Sequence, residues 1–402
     1  MSRKIWYSLL AVLVVTATAL SACGSTPTPA PTAPPAPTTA PATAMPAATT
    51  AATAMPAATA TSASSSAMGP AGKIAFLLPE TKTARYETQD LPNFKAELTA
   101  KGYDVSTLIY SNANQDASAQ QQQAEAALTN GAKVLVLDPV DSAAAAAIAD
   151  AAAQQNVPVI SYDRLITGSK NVNYYISFDN VKVGVLQATA LMTALSSATN
   201  PTIVMINGSP TDNNAKLFKQ GAHSVFDPLV SAGKLTIAKE YDTPDWSPDQ
   251  AQTEMTQALT ALSNKVDGVY AANDGTAGGA FAAMKAAGLT TFPPMTGQDA
   301  QVDGIQRILT GEQYMTVYKA IKPEAVAAAD LAYDLATGTA VPSSMVTGTT
   351  NNGSVDVPSI LLTPVAVTKD NVETTVIADG FWKVSDICTS DFASACTAAG
   401  VK

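Results

Sequence analysis

The sequence predicts an α/β protein made of two lobes, each with a parallel sheet covered by helices. Three observations predict it. From residue 73 to about residue 338, short apolar runs alternate with longer helical segments. That alternation places parallel strands under helices on both faces. The strands are also too many for one compact open sheet, so they divide between two.

KIAFLL (73–78) is the first strand, and residues 87–101 are helical in pattern with Pro92 near the start. DVSTLIYS (104–111) is the second strand, followed by a helix over 115–131 that stops at its glycine. AKVLVLDP (132–139) is the third, and a helix over 141–156 takes Asp141 or Ser142 as cap. VPVISYD (157–163) and NYYISFDN (173–180) are the fourth and fifth strands. Then come a helix (181–198), PTIVMINGS (201–209), a helix (214–233), LTIAKEYD (235–242) and a helix (247–264). VDGVYAAND (266–274), a helix (275–288), PPMTGQD (293–299), a helix (300–311), EQYMTVYK (312–319) and a helix (322–338) complete the series.

The N-terminus is of a different kind. MSRKIWYSLLAVLVVTATALSAC has a basic start, a short apolar run and small residues before Cys23, the layout of a secretory signal. LSAC resembles the lipobox of bacterial lipoproteins, with cleavage at 1–22 and lipid on the Cys23 thiol. An ordinary signal peptide and a membrane anchor are the alternatives. All three place the folded body outside the cytoplasm. Residues 24–72 are almost wholly Ala, Pro, Thr, Ser, Gly and Met, and ATAMPAAT occurs twice. With no apolar face to bury, this segment reads as a disordered tether.

Lys and Arg total 23 against 33 Asp and Glu, a net charge of −10 that lacks the basic footprint of a nucleic-acid binder. If Cys23 carries lipid, Cys388 and Cys396 remain as an even pair, either a small-loop disulfide or two free thiols. The single histidine, His223, is remote from them, which disfavours a metal site.

Ligands of open parallel sheets bind beyond the carboxyl ends of the strands. Those ends hold Asp163–Arg164, Asp179–Asn180, Asp212–Asn213–Asn214, Asn273–Asp274, Gln298–Asp299 and Lys319. Singly, each reads as well as a helix cap or turn. Together they offer the donors and acceptors that a polyhydroxylated ligand needs. Tyr86, in the loop after the first strand, and Trp246, between a strand and a helix, offer flat surfaces for the apolar faces of a sugar ring. The adjacent Asp163 and Arg164 either neutralise each other or meet a ligand.

YDRLI, YYISFDNVKVG, GSPTDNNAKLF, ANDGTAGGA, TGQDA and MTVYK, in that order, resemble the periplasmic sugar-binding proteins of bacterial ABC importers, and are very like their D-xylose binders. The resemblance runs over roughly residues 73–380. It implies the periplasmic binding protein type I fold: two Rossmann-like lobes joined by three crossovers, with sugar in the cleft. Position by position it implies sugar contacts from Lys82, Arg85, Tyr86, Asp163, Arg164, Asp212, Asn214, Trp246, Asn273, Asp299 and Lys319. Tyr86 stands where the family has Trp, and either Asn213 or Asn214 is the inward amide. Asp163 is expected to steady the Arg164 guanidinium as well.

The resemblance implies a monomer that binds without catalysis, cofactor or metal and hands its monosaccharide to a membrane permease. No G-x-x-x-x-G-K-[ST] segment occurs, so a partner ATPase supplies the energy. Sugar sensing for chemotaxis or a kinase, and binding of glucose, arabinose, ribose or galactose, are the alternatives. A glycosidase is disfavoured, because the acids are interleaved with Asn, Arg and Lys. The expected organisation is leader 1–22, lipidated Cys23 and tether 23–72, an N-terminal lobe of 73–178 plus about 320–348, a C-terminal lobe of 179–319 plus about 349–380, and an extension of 381–402 with Cys388 and Cys396 as a disulfide.

Overall fold

The computed structural model describes residues 71–402; the leader, Cys23 and the tether through residue 70 lie outside the described residues. In the first lobe β1 (Lys73–Leu78), β2 (Ile109–Asn112), β3 (Ala132–Leu137), β4 (Val159–Tyr162) and β5 (Tyr174–Phe178) alternate with α1 (Leu91–Ala100), α2 (Ala117–Thr129) and α3 (Ala146–Gln154). The chain then crosses to the second lobe. There α4 (Asn180–Ala194), β6 (Thr202–Asn207), α5 (Asn213–Ser231), β7 (Thr236–Asp242), α6 (Pro248–Ala261), β8 (Gly268–Ala271), α7 (Asp274–Ala286), α8 (Val302–Thr310) and β9 (Met315–Tyr318) follow. It returns with α9 (Ile321–Thr337), β10 (Gly348–Asn351) and β11 (Asp356–Leu362). It crosses a third time into β12 (Val365–Thr368), α10 (Val384–Ile387) and α11 (Ala393–Ala399).

The first sheet has the order β10-β11-β5-β4-β3-β1-β2, parallel except for β10. In the second, β7-β6-β8 are parallel, and single bridges at Val269–Met295 and Gln298–Val317 carry the sheet on to β9 and its antiparallel partner β12. This is the expected two-lobed α/β architecture with three connections. One boundary is corrected: residues 349–362, expected in the C-terminal lobe, join the first sheet, where β11 pairs with β5 and β10 with β11. The last crossing therefore falls after Leu362.

Apolar side chains fill both faces of each sheet. On one face of the first Phe76 stacks on Phe94 and meets Tyr162 edge-on, and Leu77, Leu135 and Ile148 line the other. In the second lobe α4 and α5 touch backbone to backbone. A Cβ on Gly184 would stand 1.9 Å from the carbonyl oxygen of Phe218, so only glycine permits the approach. That contact brings the N-termini of both helices, with Asn180 and Asn214, to the cleft.

Local polar bonds account for where elements are shorter than the sequence pattern. Asp104 accepts from the Ser106 amide at 3.0 Å and turns Val105–Thr107 into a 3-10 turn, so β2 begins only at Ile109. Asp141 accepts from the amides of Ala143 and Ala144, and the Ser142 amide bonds the carbonyl of Thr211 across the cleft. Regular helix therefore starts at Ala146. Residues 293–299 make two isolated bridges rather than a strand.

Asp274 fixes the inner end of the second lobe. It is fully buried, and its carboxyl accepts from Gln313 Nε2 (2.7 Å), Thr316 Oγ1 (3.0 Å) and the Gln301 amide (2.9 Å). Burial pushes its pKa up to about 7, although Arg307 and Gln313 oppose the rise. In the first lobe burial likewise raises Asp90 to about 6, against Arg85 and the Tyr162 hydroxyl. Unfolded carboxyls titrate near ~3.9. Between these limits the native state holds more protons than the unfolded one, so stability falls as pH rises from 5 to 8. Urea denaturation of residues 71–402 should show this loss, on the order of 1–3 kcal/mol, and Asp274→Asn should flatten it. A stability that rises over that range, or a slope untouched by the substitution, would contradict this assignment.

Candidate functional site

Side chains from both lobes converge on one cavity, which encloses no more than about 250 Å³ of space. Lining it from the first lobe are Thr83, Arg85, Tyr86, Asp163 and Arg164. From the second come Asp212, Asn214, Phe218, Trp246, Asn273, Gln298, Asp299 and Lys319. Ten of the eleven residues expected from the sequence therefore meet in one place. Lys82 does not. It is exposed, and its Nζ reaches the carbonyl of Asp245 on the opposite lobe at 3.5 Å, outside the cavity.

The loop after β1 carries Arg85 and Tyr86. Glu80 shapes that loop by accepting from the amides of Lys82 and Thr83. The Arg85 guanidinium bonds Asp90 (2.7 Å) and Asp163, and its Nε stands 3.5 Å from Asp299 across the cleft. It also lies 4.5 Å from the centre of the Tyr86 ring, while Arg164 lies 5.7 Å from the same centre. The Tyr86 hydroxyl donates to Asp163 at 2.9 Å. Tyr86 thus keeps an aromatic wall but spends its face on guanidinium groups and its hydroxyl on a carboxylate.

Asp163 follows β4 in a left-handed conformation (φ 50°), which separates its direction from that of Arg164. Among the described residues its ion pairs are with Arg85 and Lys319, not with its neighbour. Burial alone would raise its pKa, yet Arg85, Lys319 and Arg164 together hold it well below the usual carboxylate range. Arg164 reaches the other way. Its Nε is 3.0 Å from Asp212 of the second lobe and 3.6 Å from Asp138, and its Nη2 is 3.5 Å from Glu80.

In the second lobe Asp212 caps α5 by accepting from the Asn214 amide (2.8 Å) and also receives the Trp246 indole N–H (3.1 Å). Asn214, not Asn213, is the inward amide: its Nδ2 donates to the carbonyl of Asp163 at 3.0 Å, and its Oδ1 accepts from Asn180. Trp246 sits in a left-handed turn (φ 53°), with its ring laid on Gly208, where a Cβ would fall 2.0 Å from the indole. Asn273 caps α7 through a capping box with Thr276. Asp299 (φ 85°) and Lys319 stand 3.3 Å apart beside Arg85.

Sequence reasoning missed three lining residues, Thr83, Phe218 and Gln298. Gln298 carried the strand-end signal and was outweighed by Asp299. It also missed a supporting layer of Glu80, Asp90, Asp138 and Glu324, all fully buried. Burial pushes the pKa of Asp138 and of Glu324 well above the ordinary range, with Arg164 opposing the first and Arg85 the second. Asp138 ends β3 and was legible as another strand end. Asp90 and Glu324 come from helical turns, which gave no such signal.

The periplasmic binding protein domain matches residues 74–340 of the chain. The chain is 39% identical over 315 residues to the D-xylose-binding periplasmic protein of Escherichia coli (strain K12), covering 78% of this chain and 92% of that protein. It is 35% identical over 331 residues to a multiple sugar-binding periplasmic receptor of Rhizobium radiobacter, covering 79% and 92%. Among solved structures, a carbohydrate transporter solute-binding protein of Chloroflexus aurantiacus in complex with D-glucose superimposes with a TM-score of 0.72 at 32% identity, covering 78% and 97%.

The seat of Trp246 is testable without a ligand. Gly208→Ala should displace the indole, change its near-ultraviolet circular dichroism and cost about 1–3 kcal/mol of stability. A spectrum and a stability like those of the parent would show that the ring does not rest on that backbone.

Proposed function

The chain belongs to the periplasmic binding protein family, and on that premise we propose that it captures a single monosaccharide, D-xylose first, between two closing lobes. The observation that carries the reading is a set of buried polar atoms without hydrogen-bond partners, contributed by both lobes to one small cavity. They are Arg85 Nε and Asp163 Oδ1 from the first lobe and Gln298 Oε1 and Asp299 Oδ1 from the second. All but Gln298 Oε1 meet an opposite charge only at 3.3–3.6 Å, too long for a good hydrogen bond, and the hydroxyls of a sugar would supply the missing partners. The cavity is small and walled by both lobes, which limits the occupant to one small ring. Trp246 covers one apolar face of that ring, and Phe218, edge-on to the indole at 6.3 Å between ring centres, adds to the apolar wall.

Binding proceeds without chemistry. The carboxylates next to the ligand are each engaged by a cation, Asp163 by Arg85, Asp299 by Lys319 and Asp212 by Arg164, so no acid and free base stand opposed as hydrolysis requires. In the closed cleft these ion-paired groups would also make charge-assisted bonds to the hydroxyls of the ligand. The loaded monomer then docks on an ABC permease, with Cys23 as its lipid anchor. Fully exported and anchored in this way, the protein works at the outer face of the cell membrane.

Calorimetry on residues 71–402 with D-xylose, D-glucose, L-arabinose, D-ribose and D-galactose tests the reading. D-xylose should bind at micromolar affinity or tighter. Arg164→Ala should lose about 2–5 kcal/mol, roughly 30-fold or more, because it leaves Asp212 and Asp138 buried and unpaired. Tight binding of another member of the panel would keep the mechanism and change the sugar. Silence across the panel from folded protein would overturn the reading.

A further inference from the structure

Beyond the site lies a hydrophobic cluster in which all three connections between the lobes meet. Phe178 ends the strand before the first crossing, Tyr318 and Ile321 flank the second, and Leu362 precedes the third. The same cluster is completed by Phe381, Ile387, Cys396 and Val401 of the C-terminal extension, each under one-tenth exposed. A disulfide between Cys388 and Cys396, with Cα atoms 5.9 Å apart, closes this segment on itself.

Two residues of the extension reach the neighbours of sugar-facing groups. The Phe381 ring packs edge-on to Tyr318, at 5.1 Å between centres, immediately before Lys319. The Trp382 indole N–H donates to the carbonyl of Ala300 at 2.7 Å, immediately after Asp299. Asp299 and Ala300 are consecutive left-handed residues, with φ of 85° and 46°. Such a pair persists only where surrounding contacts hold it. The extension also touches the first lobe, because Gln89 Nε2 donates to the carbonyl of Phe381 at 3.0 Å. Gln89 belongs to the turn that carries Tyr86 and Asp90.

We propose that the extension braces the hinge, and that Phe381 and Trp382 are positioning residues that set Lys319 and Asp299 for the ligand. The inference rests on the monosaccharide reading for its effect on affinity, but not for its effect on the backbone.

The test compares residues 71–402 with Trp382→Phe, Phe381→Leu and Gln89→Leu. Trp382→Phe keeps a ring in place and removes only the donor, so the fold is retained. Each variant should bind the tightest sugar of the panel roughly three- to tenfold more weakly, through faster dissociation, at a temperature where the unliganded protein is fully folded. Hydrogen exchange without sugar should accelerate in Trp382→Phe at the amides of Asp299 and Ala300, and in Phe381→Leu at residues 318–321, with the sheet of the first lobe unchanged. Parental affinity in the variants, with parental exchange at those amides, would overturn the brace and leave sugar binding standing. If the parent binds no sugar, the monosaccharide reading fails, and the exchange comparison alone decides the brace.

Discussion

Three buried cations, Arg85, Arg164 and Lys319, must share seven buried carboxyls: Glu80, Asp90, Asp138, Asp163, Asp212, Asp299 and Glu324. Charges cannot be buried unpaired. Burial favours the protonated form even beside a single guanidinium, as at Asp90, and ionisation wins where several cations converge, as at Asp163. Burial lifts Asp138 and Glu324 well above the ordinary range. Asp163, with Arg85, Lys319 and Arg164 around it, stays ionised against the cost of burial. Each cation reaches carboxylates on its own lobe and on the other, as Arg164 does with Glu80 and Asp212 and Arg85 with Asp90 and Asp299. The ionic network is therefore also the link between the lobes.

That network dictates the backbone around it. Asp163, Asp245, Trp246, Asp299 and Ala300 all adopt left-handed conformations although none is glycine. Three of them are held by specific contacts: the Asn214 amide on the carbonyl of Asp163, the Gly208 seat under Trp246, the Trp382 indole on the carbonyl of Ala300. The strain sits where strands end and helices begin, the one region of an open parallel sheet where side chains from several strands can face a single point.

Much of this was legible in the sequence. The strand–helix alternation gave the two lobes, and polar strand ends gave most of the cavity, because parallel sheets point those ends the same way. What escaped was set by tertiary context. Lys82 looked like its neighbours, but Glu80 folds the loop so that it faces outward. The pairing of Asp163 with Arg85 rather than Arg164 depends on one backbone torsion that no sequence period encodes. Strands β10 and β11 join the first sheet because β11 pairs with β5, a non-local contact without a local signature. Glu324 looked like any exposed first-turn acid on α9 until packing placed that turn beneath Arg85.

The contact between Arg164 and Asp212 is the simplest expression of the cross-cleft network. A double-mutant cycle of Arg164→Met and Asp212→Asn, read as affinity for the tightest-bound monosaccharide, measures it directly. The account predicts a coupling of about 1.5 kcal/mol or more, a tenfold departure from additivity, because each group is partnered by the other and, in the proposed complex, by the ligand as well. Effects that add to within about 0.3–0.5 kcal/mol would mean that the two residues act independently, and would contradict a cleft organised by shared buried charge.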